Sequence, residues 1–380
     1  MKITSRLPDV GTTIFTVMSR LSAEHGAINL SQGFPDFPID PHLIELVNAA
    51  MIRGHNQYAP MEGAPELRRR IAGVLARAYG VQINPESEIT ITAGATEALF
   101  SVIAAFVSPG DEVILFDPAY DSYAPAVRLN GGIPVHVTLR YPDFSIDWTV
   151  VNRFVNNKTK MIVINTPHNP LGTVLDAHDM AELDKLAERH NLIVLSDEVY
   201  ERLVYDGQSH QSVLRFANLF SRSCACFSFG KTLHATGWKV GYVVGPAELM
   251  KEVRKTHQYI TFSVNTPVQH ALAEYLSLND RLEKIPSFYQ RKRDLFLEQI
   301  KGSSFEPLPC RGSYFQLLSY RNVSSKSDEE MAKGLISDHK IAAIPVSVFY
   351  KDRVDAKILR FCFAKKDETL ERAGEILRQI

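Results

Sequence analysis

The sequence predicts an α/β protein: a large domain with a mainly parallel central sheet flanked by helices, and a smaller α+β domain assembled from both chain ends. Three observations point there. The middle of the chain alternates short β-branched runs with helical apolar patterns, the mark of βα units whose strands run parallel. The chain has 380 residues, more than one hydrophobic core usually serves. The two ends lack the alternation. We therefore expect residues 1–43 and 288–380 to form the small domain and residues 44–287 the large one.

The elements follow in order. Residues 88–92 read as a strand and residues 96–107 as a helix. Further strands are expected at 112–116, 133–137, 161–165, 192–196 and 225–228. Asp176 fits the N-cap of a helix reaching about residue 190, with Met180, Leu183 and Ala187 on one face. Residues 1–43 read as loop-rich, and the run Gln32-Gly33-Phe34-Pro35-Asp36-Phe37-Pro38 marks irregular backbone. After Pro286, a long charged helix is expected over residues 288–300.

Composition narrows the class. Lys plus Arg is 42 against 43 for Asp plus Glu, so the formal charge of -1 leaves no footprint for nucleic acid or an anionic membrane. The basic run Arg68-Arg69-Arg70 reads as the solvated face of a helix. No apolar stretch approaches the roughly 18 residues of a membrane span, and the first residues lack a signal peptide's apolar centre. Four cysteines contain no Cys-x-x-Cys pair. Cys224 and Cys226 would share one strand face, but no His pair completes a zinc site, so no metal is expected. Buried thiols in a reducing cytoplasm fit this pattern.

The chemistry is concentrated at Ser228-Phe229-Gly230-Lys231 and the following Gly237-Trp238-Lys239-Val240-Gly241. A lysine is a covalent catalyst when its amine is partly neutral and its target is a carbonyl. Ser228 and Lys239 are what a phosphate monoester would need beside Lys231. Pyridoxal phosphate joins an aldehyde to such a phosphate. The same Ser-x-x-Lys spacing also occurs in serine acyltransferases, whose companion motifs would here use Lys231 twice.

Three other strand ends add to this. At Thr92-Ala93-Gly94-Ala95-Thr96, a strand turns on glycine into a helix whose free N–H groups suit phosphate, although such turns also serve only as connections. Asn165-Thr166-Pro167-His168-Asn169-Pro170 is a rigid turn in which Asn169 offers an amide donor and His168 reads as a core or turn histidine. Asp197 closes an apolar strand, where its carboxylate needs a charged partner or serves as a helix cap. A protonated pyridine nitrogen would be such a partner, and Tyr200 lies three residues on.

With those residues in this order, the chain resembles the class I/II pyridoxal-phosphate-dependent aminotransferases of fold type I over nearly its whole length. It is most similar to the methionine and the kynurenine/glutamine aminotransferases. Asn29-Leu30-Ser31-Gln32-Gly33-Phe34-Pro35-Asp36, Asn56-Gln57-Tyr58-Ala59-Pro60 and Leu359-Arg360-Phe361 also carry the likeness. The resemblance implies that Lys231 attaches the cofactor, Asp197 pairs with its ring nitrogen, and Asn169 and Tyr200 contact its phenolic oxygen. It implies that Tyr120 stacks on the ring, while Gly94, Ala95, Thr96, Ser228 and Lys239 hold the phosphate. Tyr58 would reach the phosphate of a partner subunit, making a homodimer with shared sites. Arg360 would grip the substrate α-carboxylate, helped by Gly33 and Asn169.

Two departures bear on activity. Lys239 stands where many relatives have arginine. No arginine is evident for a distal carboxylate; the aromatic residues Phe15, Tyr58 and Phe349 are candidates either for lining an apolar side-chain pocket or for plain core. The implied reaction moves an α-amino group to a 2-oxo acid by a ping-pong route, with methionine favoured as donor over aromatic amino acids, glutamine or kynurenine. The alternative is a β-lyase acting on cysteine S-conjugates, since the same attachment of substrate can lead to elimination.

Overall fold

The computed structural model describes residues 3–278 and 281–380. Its centre is a seven-stranded sheet in the spatial order Ile89–Thr92, Gly241–Val244, Ser223–Ser228, Ile193–Asp197, Thr159–Asn165, Glu112–Asp117, Ile133–Thr138. The Gly241–Val244 strand alone pairs antiparallel to its neighbours. Along Glu112–Asp117, Val113 and Leu115 enter one apolar cluster while Ile114 and Phe116 enter another. Both faces of the sheet are thus covered, as a parallel sheet requires.

The strands read from sequence are present. The expected helix at 96–107 runs Ala95–Phe106, and Asp176 caps Ala177–His190 in a reciprocal capping box with Asp179. The Gly241–Val244 strand was missed. Its four residues follow the Trp238-Lys239 turn too closely to show a period of their own.

Two readings need correction, that of the N-terminal stretch and that of Arg68. The N-terminal stretch is not all loop: Thr13 caps a helix, Ile14–His25, which buries only Met18 and Ser22 and so leaves a faint apolar pattern. The expected division points at 43 and 287 fall inside the helices Pro41–Ile52 and Ile285–Gln299. Pro41 and Pro286 sit in the first turns of those helices, where a missing N–H costs nothing. Arg68 is not solvated; it is buried, donating to the Pro85 carbonyl and, at 3.0 Å, to Glu86. Arg69 and Arg70 do face outward, paired with Glu66.

Ile28–Asn29 pairs in parallel with Ile341–Ala342, joining the N-terminal stretch to the C-terminal one. Beside them lies an antiparallel sheet in the order Ile344–Pro345, Ile358–Cys362, Phe315–Ser319, Glu306–Pro307. Arg360 sits on its inner strand, opposite Leu317 on one side and Ile344 on the other.

Strand direction positions the site. Gly241–Val244 runs against the rest, so its start lies at the edge where the parallel strands end: Gly241 is in register with both Thr92 and Ser228. The turns carrying Gly94, Tyr120, Asn169, Tyr200 and Lys231, and the incoming Lys239, therefore leave one edge of the sheet. That carboxyl edge is where open α/β sheets bind ligands.

Candidate active site

A cavity of about 250 Å³ opens at this edge, and among its lining residues are Lys231, Asp197, Asn169, Lys239 and Arg360. Gly33, Gly94, Ala95, Thr96, Tyr120, Tyr200, Ser228 and Phe15 reach it too. Of the residues singled out from sequence, Tyr58 does not. It is 81 % exposed, with its ring edge-on to Phe262. Phe349 is buried against Phe15, at 5.9 Å between ring centres.

The phosphate turn is built from backbone. Gly94 precedes the Ala95–Phe106 helix with φ 77°, and no side chain caps the helix start, which leaves first-turn N–H groups facing the cavity. Glu97, in that turn, would repel an anion, but its carboxylate is drawn off by Ala93 N–H (3.0 Å) and His257 Nδ1 (2.9 Å). Lys239 bends over the turn: a Cβ on Gly94 would lie 3.2 Å from its Nζ. Among the described residues, no carboxylate pairs with Lys239. The turn thus has the donors and the positive charge of a phosphate cradle.

Asp197 ends the Ile193–Asp197 strand and is buried. Burial pushes its carboxyl up to about 6, while hydrogen bonds from Tyr123 Oη (2.6 Å) and Val199 N–H (3.3 Å) and the nearby Lys231 charge pull the other way. A cationic ring nitrogen would relieve that burial. Tyr123 was missed from sequence; its spacing of three from Tyr120 at a helix start is the signal that could have found it.

Asn165 fixes the Asn169 turn, with its Oδ1 accepting from Asn169 N–H at 2.7 Å. Asn169 Oδ1 in turn accepts from Arg360 Nη1 at 2.7 Å, leaving the Asn169 amide N–H₂ as the free donor. His168 is buried, and burial holds its ring down at about 3, a neutral core histidine.

Arg360 is the most telling group. It is 1 % exposed, and Nη2 donates to the Ser31 carbonyl at 3.0 Å. Its guanidinium carbon lies 3.9 Å from the Phe315 ring centre and 5.3 Å from those of Phe15 and Phe349. Nε has no hydrogen-bond partner among the described residues, and burial lowers the group to about 10. A buried cation without a paired acid is costly unless an anion arrives. A substrate carboxylate is such an anion.

Lys231 is held at about 8, principally by burial, with the Arg360 and Lys239 charges adding to the effect and Cys362 and Asp197 opposing it. Its Nζ contacts Tyr314 Oη at 3.0 Å and Gly33 O at 3.3 Å, with no bond to Ser228. An acyl-transfer pair of Ser228 and Lys231 would need that bond. Tyr314 was also missed, since nothing in its local sequence marks it.

A family description, aminotransferase class I and II, matches residues 25–377. The chain belongs to the class I and II aminotransferases. It is similar to a methionine aminotransferase of Escherichia coli, 49% identical over 99% of this chain and 98% of that protein. Kynurenine–oxoglutarate transaminase 3 of mouse is 34% identical over 99% of this chain and 90% of its own length. A solved E. coli structure described as a methionine aminotransferase superposes with a TM-score of 0.98 at 49% identity, covering all of both chains. This chain is a pyridoxal-phosphate-dependent transaminase of fold type I, with amino acid and 2-oxo acid substrates. No helix among the described residues is long and apolar enough to cross a membrane.

Proposed function

We propose that this aminotransferase takes its amino group from methionine, or from a similarly apolar amino acid, with Lys231 as its attachment and proton-carrying group. The observation that carries the reading is the convergence of Lys231, Asp197 and the acid-free Arg360 on one cavity. Among the described residues, no arginine apart from Arg360 lines that cavity, and Phe15 and Phe315 supply apolar walls. Such walls suit a side chain without a distal charge. The similar E. coli enzyme named for methionine supports that choice of donor.

Bound pyridoxal phosphate supplies the electron sink that lets the substrate Cα–H bond break heterolytically. In this reading, the free N–H groups of Ala95 and Thr96, next to Gly94, hold the phosphate with Ser228 and Lys239. Asp197 pairs with the ring nitrogen, and Asn169 and Tyr200 donate to the phenolic oxygen. Tyr120 covers a ring face. Arg360 fixes the α-carboxylate, assisted by Asn169 and the Gly33 backbone, and so aims the Cα–H bond. Lys231 Nζ, neutral over much of the range above pH 8, accepts that proton and becomes an ammonium inside the cavity.

The same reading makes the protein a homodimer in which Tyr58 serves the partner's phosphate. Support comes from exposed apolar groups: Phe262, packed against Tyr58, is 46 % exposed, and Ile52 and Tyr259, close in sequence to Tyr58 and Phe262 respectively, are 77 % and 86 % exposed. The pairing of Ile28–Asn29 with Ile341–Ala342 supports a small domain made from residues 1–43 and 288–380 beside a large one of 44–287. Four free, buried thiols suit the cytoplasm.

The test is borohydride reduction of the yellow holoenzyme followed by peptide mapping, then a panel of amino acids in single half-reactions. Label on Lys231 and the fastest spectral change with methionine are expected, with no ammonia released. A label on another lysine, or ammonia in place of a half-reaction, would overturn the reading.

A further inference from the structure

The surroundings of the Lys231 amine assign a role to a residue outside the cavity lining. Tyr314 is fully buried and is not among the residues lining the cavity, yet its hydroxyl reaches the Nζ of Lys231, which is. Its ring is held by Phe315 at 4.9 Å, Tyr200 at 5.0 Å and Tyr289 at 5.9 Å between centres. Its hydroxyl proton is committed to the Gly33 carbonyl. Towards Lys231 Nζ, 3.0 Å away, the Tyr314 oxygen can then only accept. Gly33 O lies 3.3 Å from the same nitrogen. That carbonyl comes so close because residue 33 has no side chain: a Cβ would stand 2.7 Å from Phe315 Cζ.

A neutral amine carries two hydrogens and one lone pair. We propose that Tyr314 is a positioning residue for Lys231: its oxygen and the Gly33 carbonyl take both amine hydrogens, leaving the lone pair turned towards the cavity. The proton accepted from substrate then forms a third N–H on the open corner, while the two original N–H bonds keep their acceptors. The same proton can leave by the same corner, so the amine need not rotate between accepting and releasing it. This rests on Lys231 being the proton-carrying amine.

The test compares the wild type with Tyr314→Phe, which keeps the ring, and with Tyr289→Phe, a neighbouring buried tyrosine bonded to His234 instead. Borohydride mapping of each variant first establishes that Lys231 still attaches the cofactor. Failure there would sink the Lys231 assignment itself and, with it, the role of Tyr314. With attachment intact, Tyr314→Phe should lower kcat about 10- to 100-fold and leave KM within about twofold. It should also raise the kinetic isotope effect seen with Cα-deuterated substrate.

An independent readout uses the apoenzyme: acetylation of Lys231 against pH, quantified peptide by peptide. Asp197, Arg360, Lys239, Cys362 and Tyr200 face the amine and are unchanged in the variant. Loss of an acceptor that favours the ammonium should therefore lower the Lys231 half-point by roughly 0.5 to 1 pH unit. Tyr289→Phe should move neither quantity. If Tyr314→Phe does not fold, 3-fluorotyrosine at position 314, a weaker acceptor, should shift the half-point the same way. An unchanged half-point, or an unchanged isotope effect at full cofactor occupancy, would overturn the role of Tyr314.

Discussion

The Tyr123 hydroxyl donates to Asp197 Oδ2 across 2.6 Å, joining a helix start to the end of a strand two places away in the sheet. Both groups are buried, so the bond helps keep a carboxylate ionised where burial opposes it. Tyr123→Phe should raise the Asp197 carboxyl further and weaken its hold on a cationic ring. We expect the cofactor dissociation constant, from titration of the apoenzyme, to rise about tenfold, the lower end for a hydrogen bond to a charge. An unchanged constant would show that Val199 N–H suffices.

Asp197 also sets a pH signature in the apoenzyme. Its carboxyl sits at about 6 when folded against an ordinary 3.8. Between those values the folded chain binds more protons than the unfolded one, so this group's contribution to stability falls as pH rises. Relative to wild type, apo Asp197→Asn should gain stability from about pH 4 to 6, on the order of 2 to 3 kcal/mol. Urea midpoints of both proteins across that range measure it. Parallel curves would contradict the buried-carboxylate account.

Arg360→Lys keeps the charge but loses the fork that now reaches Asn169 and Ser31. KM for amino acids should rise about 100-fold, the loss of two charge-assisted bonds, while cofactor affinity stays level. Initial-rate kinetics and apoenzyme titration separate the two effects. Equal loss of both would mean that Arg360 organises the whole cavity.

Gly94→Ala should strain a left-handed turn and press on Lys239, whose Nζ and Cε lie 3.2 and 3.3 Å from the added Cβ. The expected cost is about 1 to 2 kcal/mol in stability, together with weaker binding of free inorganic phosphate and of the cofactor. Thermal melts with and without phosphate test it. A variant as phosphate-responsive as wild type would place the anion elsewhere.

Much of the site was legible because its residues follow strand ends. Lys231, Asp197 and Asn169 each interrupt or close an apolar run with a group that a turn alone does not need. Residues that act through others were not legible. Tyr314 sits among ordinary neighbours, and although Tyr123 and Asn165 lie beside residues singled out from sequence, what each of the three holds is seen only in the packed fold. Arg68 makes the same point in reverse: inside an Arg-Arg-Arg run it reads as solvated, yet helix rotation buries it against Glu86.

Sequence by itself determined the βα alternation, the aminotransferase family and the groups that carry its chemistry, because local period and residue type fix those. Tertiary structure decided how the groups act. It ran Gly241–Val244 backwards so that Lys239 returns to the phosphate turn, left Arg360 buried without a paired acid among the described residues, and set the Tyr314 hydroxyl against the Lys231 amine. Those effects depend on burial and on distances between residues far apart in the chain, quantities that only the packed fold fixes.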